Sequence, residues 1–169
     1  MNNERKYRLY GLVPYNLSPI QQGIQYGHAV QEYNNLMMAL STDVTKDLRD
    51  AFDKWRKEDK TFIILNGGTT NSNPERFGTL NKYLVDLTDV GVMCVSFREP
   101  DLGDQLTAFV FLVDDRVWDR ESWPDYDGDV YYVDSQAAYD RWLLMFSKDR
   151  KEAERIAWLR NFLKQFKLA

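Results

Sequence analysis

Gln21, Gln25, His28 and Glu32 are spaced 4, 3 and 4 residues apart, which on a helix sets four polar side chains along one face. Four polar side chains on a helix that starts just after a strand could form a site on one wall of a cleft. The plain alternative is a helix side turned to water. His28 is the single histidine among 169 residues, so multi-histidine metal sites are excluded and one imidazole base is left. Cys94 is also single, which excludes a disulfide framework or thiolate cluster and fits a reducing compartment. Within its apolar run it reads as inert core. No metal or cofactor is expected.

Three weaker signals lie elsewhere. Asn66-Gly67-Gly68-Thr69-Thr70 follows a strand-like run, where backbone N–H groups can cradle a phosphate, but it lacks a Walker lysine and reads as a turn. Asp125, Asp127 and Asp129 suggest a cation loop, yet no glutamate stands at the twelfth position, and a solvated acidic loop is the better reading. Arg150, Lys151, Arg155, Arg160, Lys164 and Lys167 on the terminal segment could track phosphates. The same segment carries Ile156, Leu159, Leu163 and Phe166, the stripe of a packed amphipathic helix.

The elements that must position these residues follow from periodicity. Tyr7–Val13 reads as a strand ended by Pro14, and Ser18-Pro19 as a helix cap followed by proline at the first helical position. The helix 18–40 buries Tyr26, Val30, Tyr33, Met37 and Leu40, roughly opposite the polar face. Residues 43–57 form a second amphipathic helix with Val44, Leu48, Phe52 and Trp55 inward. Strands follow at 61–65, 92–97 and 106–113, with a third helix opened by Pro74 and carrying Phe77, Leu80, Leu84 and Leu87. The order predicts an α/β three-layer sandwich around one four-stranded mixed, mostly parallel sheet, with helices on both faces. We set the end of this domain, 1–113, near Val113, and read 114–169 as an acidic loop and helical C-terminal extension.

The formal charge of −4, from 22 basic and 26 acidic residues, excludes a globally basic nucleic-acid binder. No apolar run reaches the ~18 residues of a membrane span, and the start lacks a secretory apolar region, so a soluble, cytoplasmic protein is expected. Residues 114–134 hold eight acids, and the last twenty residues hold six Lys or Arg. Two complementary charged surfaces, with Trp118, Trp123, Tyr126, Tyr131 and Tyr132 between them, predict that the extension packs on the core or on a second copy, the latter a homodimer.

Leu17 to Ala29 (LSPIQQGIQYGHA) resembles the first-helix signature of type 2 peptidyl-tRNA hydrolases and their phage and bacterial relatives. Phe97 to Ala108 (FREPDLGDQLTA) is similar to the acidic loop and Thr-containing final strand of that family, and the resemblance covers about residues 6–113. It implies the family fold, with Gln25, His28, Glu99 and Thr107 as site residues and Asp101 and Gln105 beside the substrate. Glu99 falls where the better-known hydrolases carry an aspartate. Gln21 departs from the pattern, standing where they carry an essential lysine. A neutral amide supplies a donor but no fixed charge, a loss on the order of 10²–10³ in rate.

Three readings follow. One is hydrolysis of the ester between a peptide and the tRNA 3′ end, with His28, or water held by Glu99, as base and Gln21, Gln25 and Thr107 positioning the ester. Another is a non-catalytic binding protein, of use to a phage, whose cleft sequesters a nucleotide, signalling molecule or RNA end. The last is a structural protein whose extension makes an interface.

Overall fold

The computed structural model describes residues 5–40, 46–128 and 135–168. Val44, Asp129, Tyr131 and Tyr132 of the expectations above lie outside them. The chain divides into two compact units, Met1–Val113 with Phe166–Ala169, and Asp114–Gln165.

The first unit is α/β. Strands β1 (Tyr7–Val13), β2 (Thr61–Asn66), β3 (Val95–Glu99) and β4 (Gln105–Asp114) form one sheet in the order β2-β1-β4-β3. β1 and β2 pair in parallel, with Arg8 opposite Thr61 and Val13 opposite Asn66, whereas β3 and β4 are antiparallel. The sheet is therefore mixed, with one parallel pair, and the mostly parallel sheet expected from the sequence is corrected. The physical reason is short: five residues, Pro100 to Asp104, join β3 to β4, and a parallel crossover needs about a dozen or more.

Helix α1 (Pro19–Ala39) starts as the sequence requires. Ser18 is its extended N-cap, Pro19 occupies the first turn, and a reciprocal capping box links Ser18 and Gln21. Its buried face, Tyr26, Ala29, Tyr33 and Met37, joins Leu9, Val13, Ala108, Val110, Phe52 and Trp55 in one core cluster. Tyr26 lies over Gly11, donates its hydroxyl to the Leu9 carbonyl at 2.9 Å, and occupies the room a side chain would need there. A Cβ on Gly11 would stand 2.2 Å from the Tyr26 ring. Gly11→Ala should cost roughly 1–3 kcal/mol as the ring is displaced, read as a loss of several degrees in Tm.

Three boundaries differ from expectation. α2 covers Lys46–Lys54 and passes into a π-helical turn, Trp55–Asp59. The third helix does not open at Pro74. Pro74–Arg76 is a single 3₁₀ turn capped by the Asn73 side chain, and α3 (Thr79–Asp89) begins after Gly78, so Phe77 lies outside it. Gly78 passes too close to the Thr69 carbonyl and Asn71 N–H for any Cβ, which fixes the break there. Residues 92–94 are not strand: Val92 N–H returns to Leu87 O at 2.9 Å to close α3, and β3 starts at Val95.

In the second unit, Asp115–Trp118 is a short helix, α4, followed by α5 (Ser135–Phe146) and α6 (Arg150–Leu163). α6 buries Ala153, Ile156, Ala157, Leu159, Arg160 and Phe162. The opposed charges meet inside this unit: Asp125 pairs with Arg120, Arg160 and Lys164 at 2.8–3.0 Å. Asp125 is thus committed to cations of the chain, which removes it from the cation loop considered above. Arg160 is 1% exposed and is a structural group, not a phosphate-tracking one. Phe166 belongs to the first unit, edge-on to Tyr83 at 4.9 Å between ring centroids.

Candidate active site

A β-bulge builds the site. Register pairs Phe97 with Ala108 but Arg98 with Leu106, so Thr107 is an extra residue in β4. Strict alternation would put Thr107 on the sheet face opposite Ala108. An inserted residue breaks that alternation and turns Thr107 toward α1. There the fully buried Thr107 hydroxyl donates to Gln25 Oε1 at 2.5 Å. The other end of the same amide, Gln25 Nε2, donates to Glu99 Oε2 at 2.7 Å. Glu99 Oε1 accepts from the Asp101 N–H at 3.4 Å, and Glu99 caps the 3₁₀ turn Pro100–Leu102.

Three side chains from the two sequence blocks therefore form a continuous chain of hydrogen bonds, Thr107 to Gln25 to Glu99. Gln25 does not belong to a solvated stripe, as its spacing suggests; it is buried. Successive helical positions turn by ~100°, so Gln25 sits about 60° around α1 from His28, on the flank facing β3 and β4. The arrangement fixes one carboxylate. Half-buried Glu99 uses two of roughly four acceptor sites and keeps others for water.

The remaining residues take different places. His28 is exposed and its ring stacks on Phe97, 4.5 Å between centroids and 17° from parallel. Phe97 and Glu99, two apart on β3, share a sheet face, so the platform under His28 was implied by period-2 alternation but not singled out. Gln21 is spent at the helix start: its Oε1 accepts from the Ser18 N–H at 3.3 Å and the Ser18 hydroxyl at 3.2 Å. Gln105 Oε1 accepts from Ser72 N–H at 3.1 Å and so anchors the loop after β2. Asp101 is exposed beside Glu99.

The loop 66–73 is a turn bonded throughout by the protein. Thr69 N–H donates to Thr79 Oγ1, Thr70 Oγ1 to Leu106 O, and Asn71 N–H to Asn81 Oδ1. Arg98, which sequence reasoning passed over, ties this loop to the hairpin through Ser72 Oγ and Asp104 O, both at 3.2 Å. Cys94 is half-buried, and desolvation of its thiol pushes its pKa up to about 12, which keeps it un-ionised near neutrality. Among the described residues no cluster of three or more metal-ligating side chains stands ready for a metal ion. No described helix is long and apolar enough to cross a membrane. Compared with known proteins, the chain matches no family model and no curated protein.

Proposed function

We propose that this chain is a peptidyl-tRNA hydrolase-like protein that cleaves the ester between a peptide and the tRNA 3′ end. The observation that carries the reading is the Thr107–Gln25–Glu99 chain, which joins residues 74 and 82 positions apart from the two sequence blocks that resemble the family. The finer architecture, a three-layer sandwich of the family kind, draws support from two contacts at β1. Tyr26 of α1 lies against Gly11, while Leu80 of α3 meets the spot where a Gly67 Cβ would lie, beside Leu12. Neighbours on a strand face opposite ways.

In the proposed reaction Glu99 takes a proton from a water molecule, and the water oxygen bonds to the ester carbonyl carbon. The ester C–O bond then breaks, and the proton passes to the departing 3′ oxygen, with exposed His28 as its carrier. Gln25 holds Glu99 in place and Thr107 holds Gln25. Asp101 and the hairpin tip border the substrate.

A second reading, binding without turnover, is favoured by Gln21. It brings no positive charge, and its amide oxygen is committed to Ser18. Incubation with labelled peptidyl-tRNA separates the two. Cleavage by the parent chain supports the enzyme; retention of intact substrate by parent and Gln21→Lys alike supports the binder. Gln21→Lys should also lose the reciprocal cap and about 1 kcal/mol, a Tm lower by a few degrees. If activity appears or rises on the order of 10²-fold despite that loss, the missing charge is what limits the parent.

A further inference from the structure

We propose that the first unit carries a second site, on the β2 edge of the sheet, for a nucleoside 5′-phosphate, either free or as one nucleotide of an RNA strand. It goes beyond the ester-hydrolase reading and does not depend on it. The candidate active site borders β3, and β2 is the opposite edge of the sheet. Along α1, Asn34 and Met38 lie six and ten residues beyond His28, about 9 and 15 Å at 1.5 Å per residue.

A cavity of about 450 Å³ opens there, lined by Val30, Asn34 and Met38 of α1, by Phe52, Trp55 and Arg56, and by Lys60 and Phe62. Each part of a nucleotide has a counterpart in that lining. Phe62 is half-exposed and stands at 80° to the Trp55 ring with centroids 5.2 Å apart, so that Phe62 offers a face to a flat ring over a floor that includes the buried Trp55. Phe62 and Met38 are 51% and 56% exposed, an apolar area that a bound base would cover. Asn34 carries a donor and an acceptor side by side, the pattern that pairs with an adenine edge. Arg56 and Lys60 supply positive charge for the phosphate. An aliphatic chain would leave the Asn34 amide and the Lys60 ammonium without a polar group to meet.

Backbone strain points to the same place. The π-helical turn Trp55–Asp59 closes through Lys60 N–H to Trp55 O at 2.8 Å, and Lys60 is held at φ 50°, a left-handed conformation better suited to glycine. π-turns gather at functional sites, and so does stored strain. Here the turn is pinned to the sheet at two points: Tyr7 N–H donates to Asp59 Oδ2 at 2.7 Å, and Trp55 Nε1–H to Thr61 O at 3.0 Å. The Arg56 guanidinium lies over the Phe52 ring at 5.6 Å and gives its Nε–H to Asp53 at 2.8 Å, a bond that uses one of its five donors. A lysine thus stands in the cavity lining at a position whose backbone favours glycine.

The test is an NMR titration with AMP, adenosine and a short oligoadenylate, following the Asn34 side-chain amide and the Trp55 indole N–H. AMP should shift both, adenosine should bind roughly tenfold or more weakly, and Phe62→Ala should abolish the shifts. Tighter binding of AMP than of the oligomer assigns a free nucleotide, and the reverse assigns an RNA strand; either supports the site. Lys60→Gly gives the sharper result, because it should raise the Tm by relieving the backbone while weakening AMP roughly tenfold. A Lys60→Gly protein that is more stable yet binds AMP unchanged overturns the proposal. So does AMP that shifts nothing at about 10 mM, or that shifts the Gln25 amide in place of Asn34.

Discussion

Glu99→Gln is expected to cut ester cleavage by roughly 10³-fold and to leave the Tm nearly unchanged, because it removes a base and keeps its shape. The amide oxygen of the new residue can still accept from Gln25 Nε2, the 2.7 Å bond of the parent. What it cannot do is take a proton from water. Gln25→Ala should behave differently. It strips Glu99 of its donor and leaves the fully buried Thr107 hydroxyl without its acceptor, so it should lose activity and about 1–3 kcal/mol of stability together. Thr107→Val should share that second pattern in milder form, since the bulged position still places a side chain of similar volume against α1. Measuring kcat and Tm for the three variants separates base from scaffold. Full cleavage by Glu99→Gln would remove Glu99 from the chemistry and leave His28 to be tried as the base.

The sheet and the start of α1 were legible because each rests on local chemistry. Ser18-Pro19 with Gln21 three residues past the cap is a complete capping signal, and the structure shows every bond of it. The same signal gives Gln21 a second role that its spacing alone does not show, since its side chain completes the cap at the helix start. The antiparallel β3–β4 pair was missed, because the alternating elements suggested a mostly parallel sheet and the five-residue connection emerges only once the strand ends are placed. Thr107 was out of reach by pattern alone. Leu106-Thr107-Ala108 contains no glycine or proline to mark an irregularity, and unbroken alternation sends the hydroxyl away from α1. Only the resemblance to a known family placed it in the site. The π-turn was hidden for a similar reason, since Trp55 to Asp59 continues a helical pattern and its extra residue shows only in the backbone.

Arg160 was the residue whose role changed most, and its removal should be the most destabilising single change in the second unit. Arg160 Nη1 donates to Arg116 O, Nη2 donates to Trp123 O at 2.6 Å and to Asp125 Oδ1 at 2.8 Å, and the guanidinium lies 5.2 Å from the Phe146 ring centre. Sequence could not indicate this, because every acceptor lies 35 to 44 residues earlier. Arg160→Met keeps much of the volume but strands these acceptors, and a loss of about 3–5 kcal/mol is expected. Arg160→Lys should recover little, since one ammonium cannot span the three directions that a planar fork serves. The unit should also be acid-labile. Burial works to raise the carboxyls of Asp125 and Glu152, but hydrogen bonds from Arg160 and Lys164 to the first, and from Ser147 and Arg116 to the second, outweigh it and hold both below their ordinary values. A depressed carboxyl adds stability that is complete above its unfolded pKa, near 4, and is lost as pH falls through the folded value. Trp118, Trp123, Trp142 and Trp158 lie in this unit and only Trp55 in the other, so tryptophan emission reports chiefly on it. Emission should hold steady from neutrality to about pH 4 and red-shift below it, with the Arg160→Met transition displaced to higher pH and lower temperature. A variant whose emission follows the parent through both acid and thermal unfolding would show that the buried guanidinium contributes nothing net.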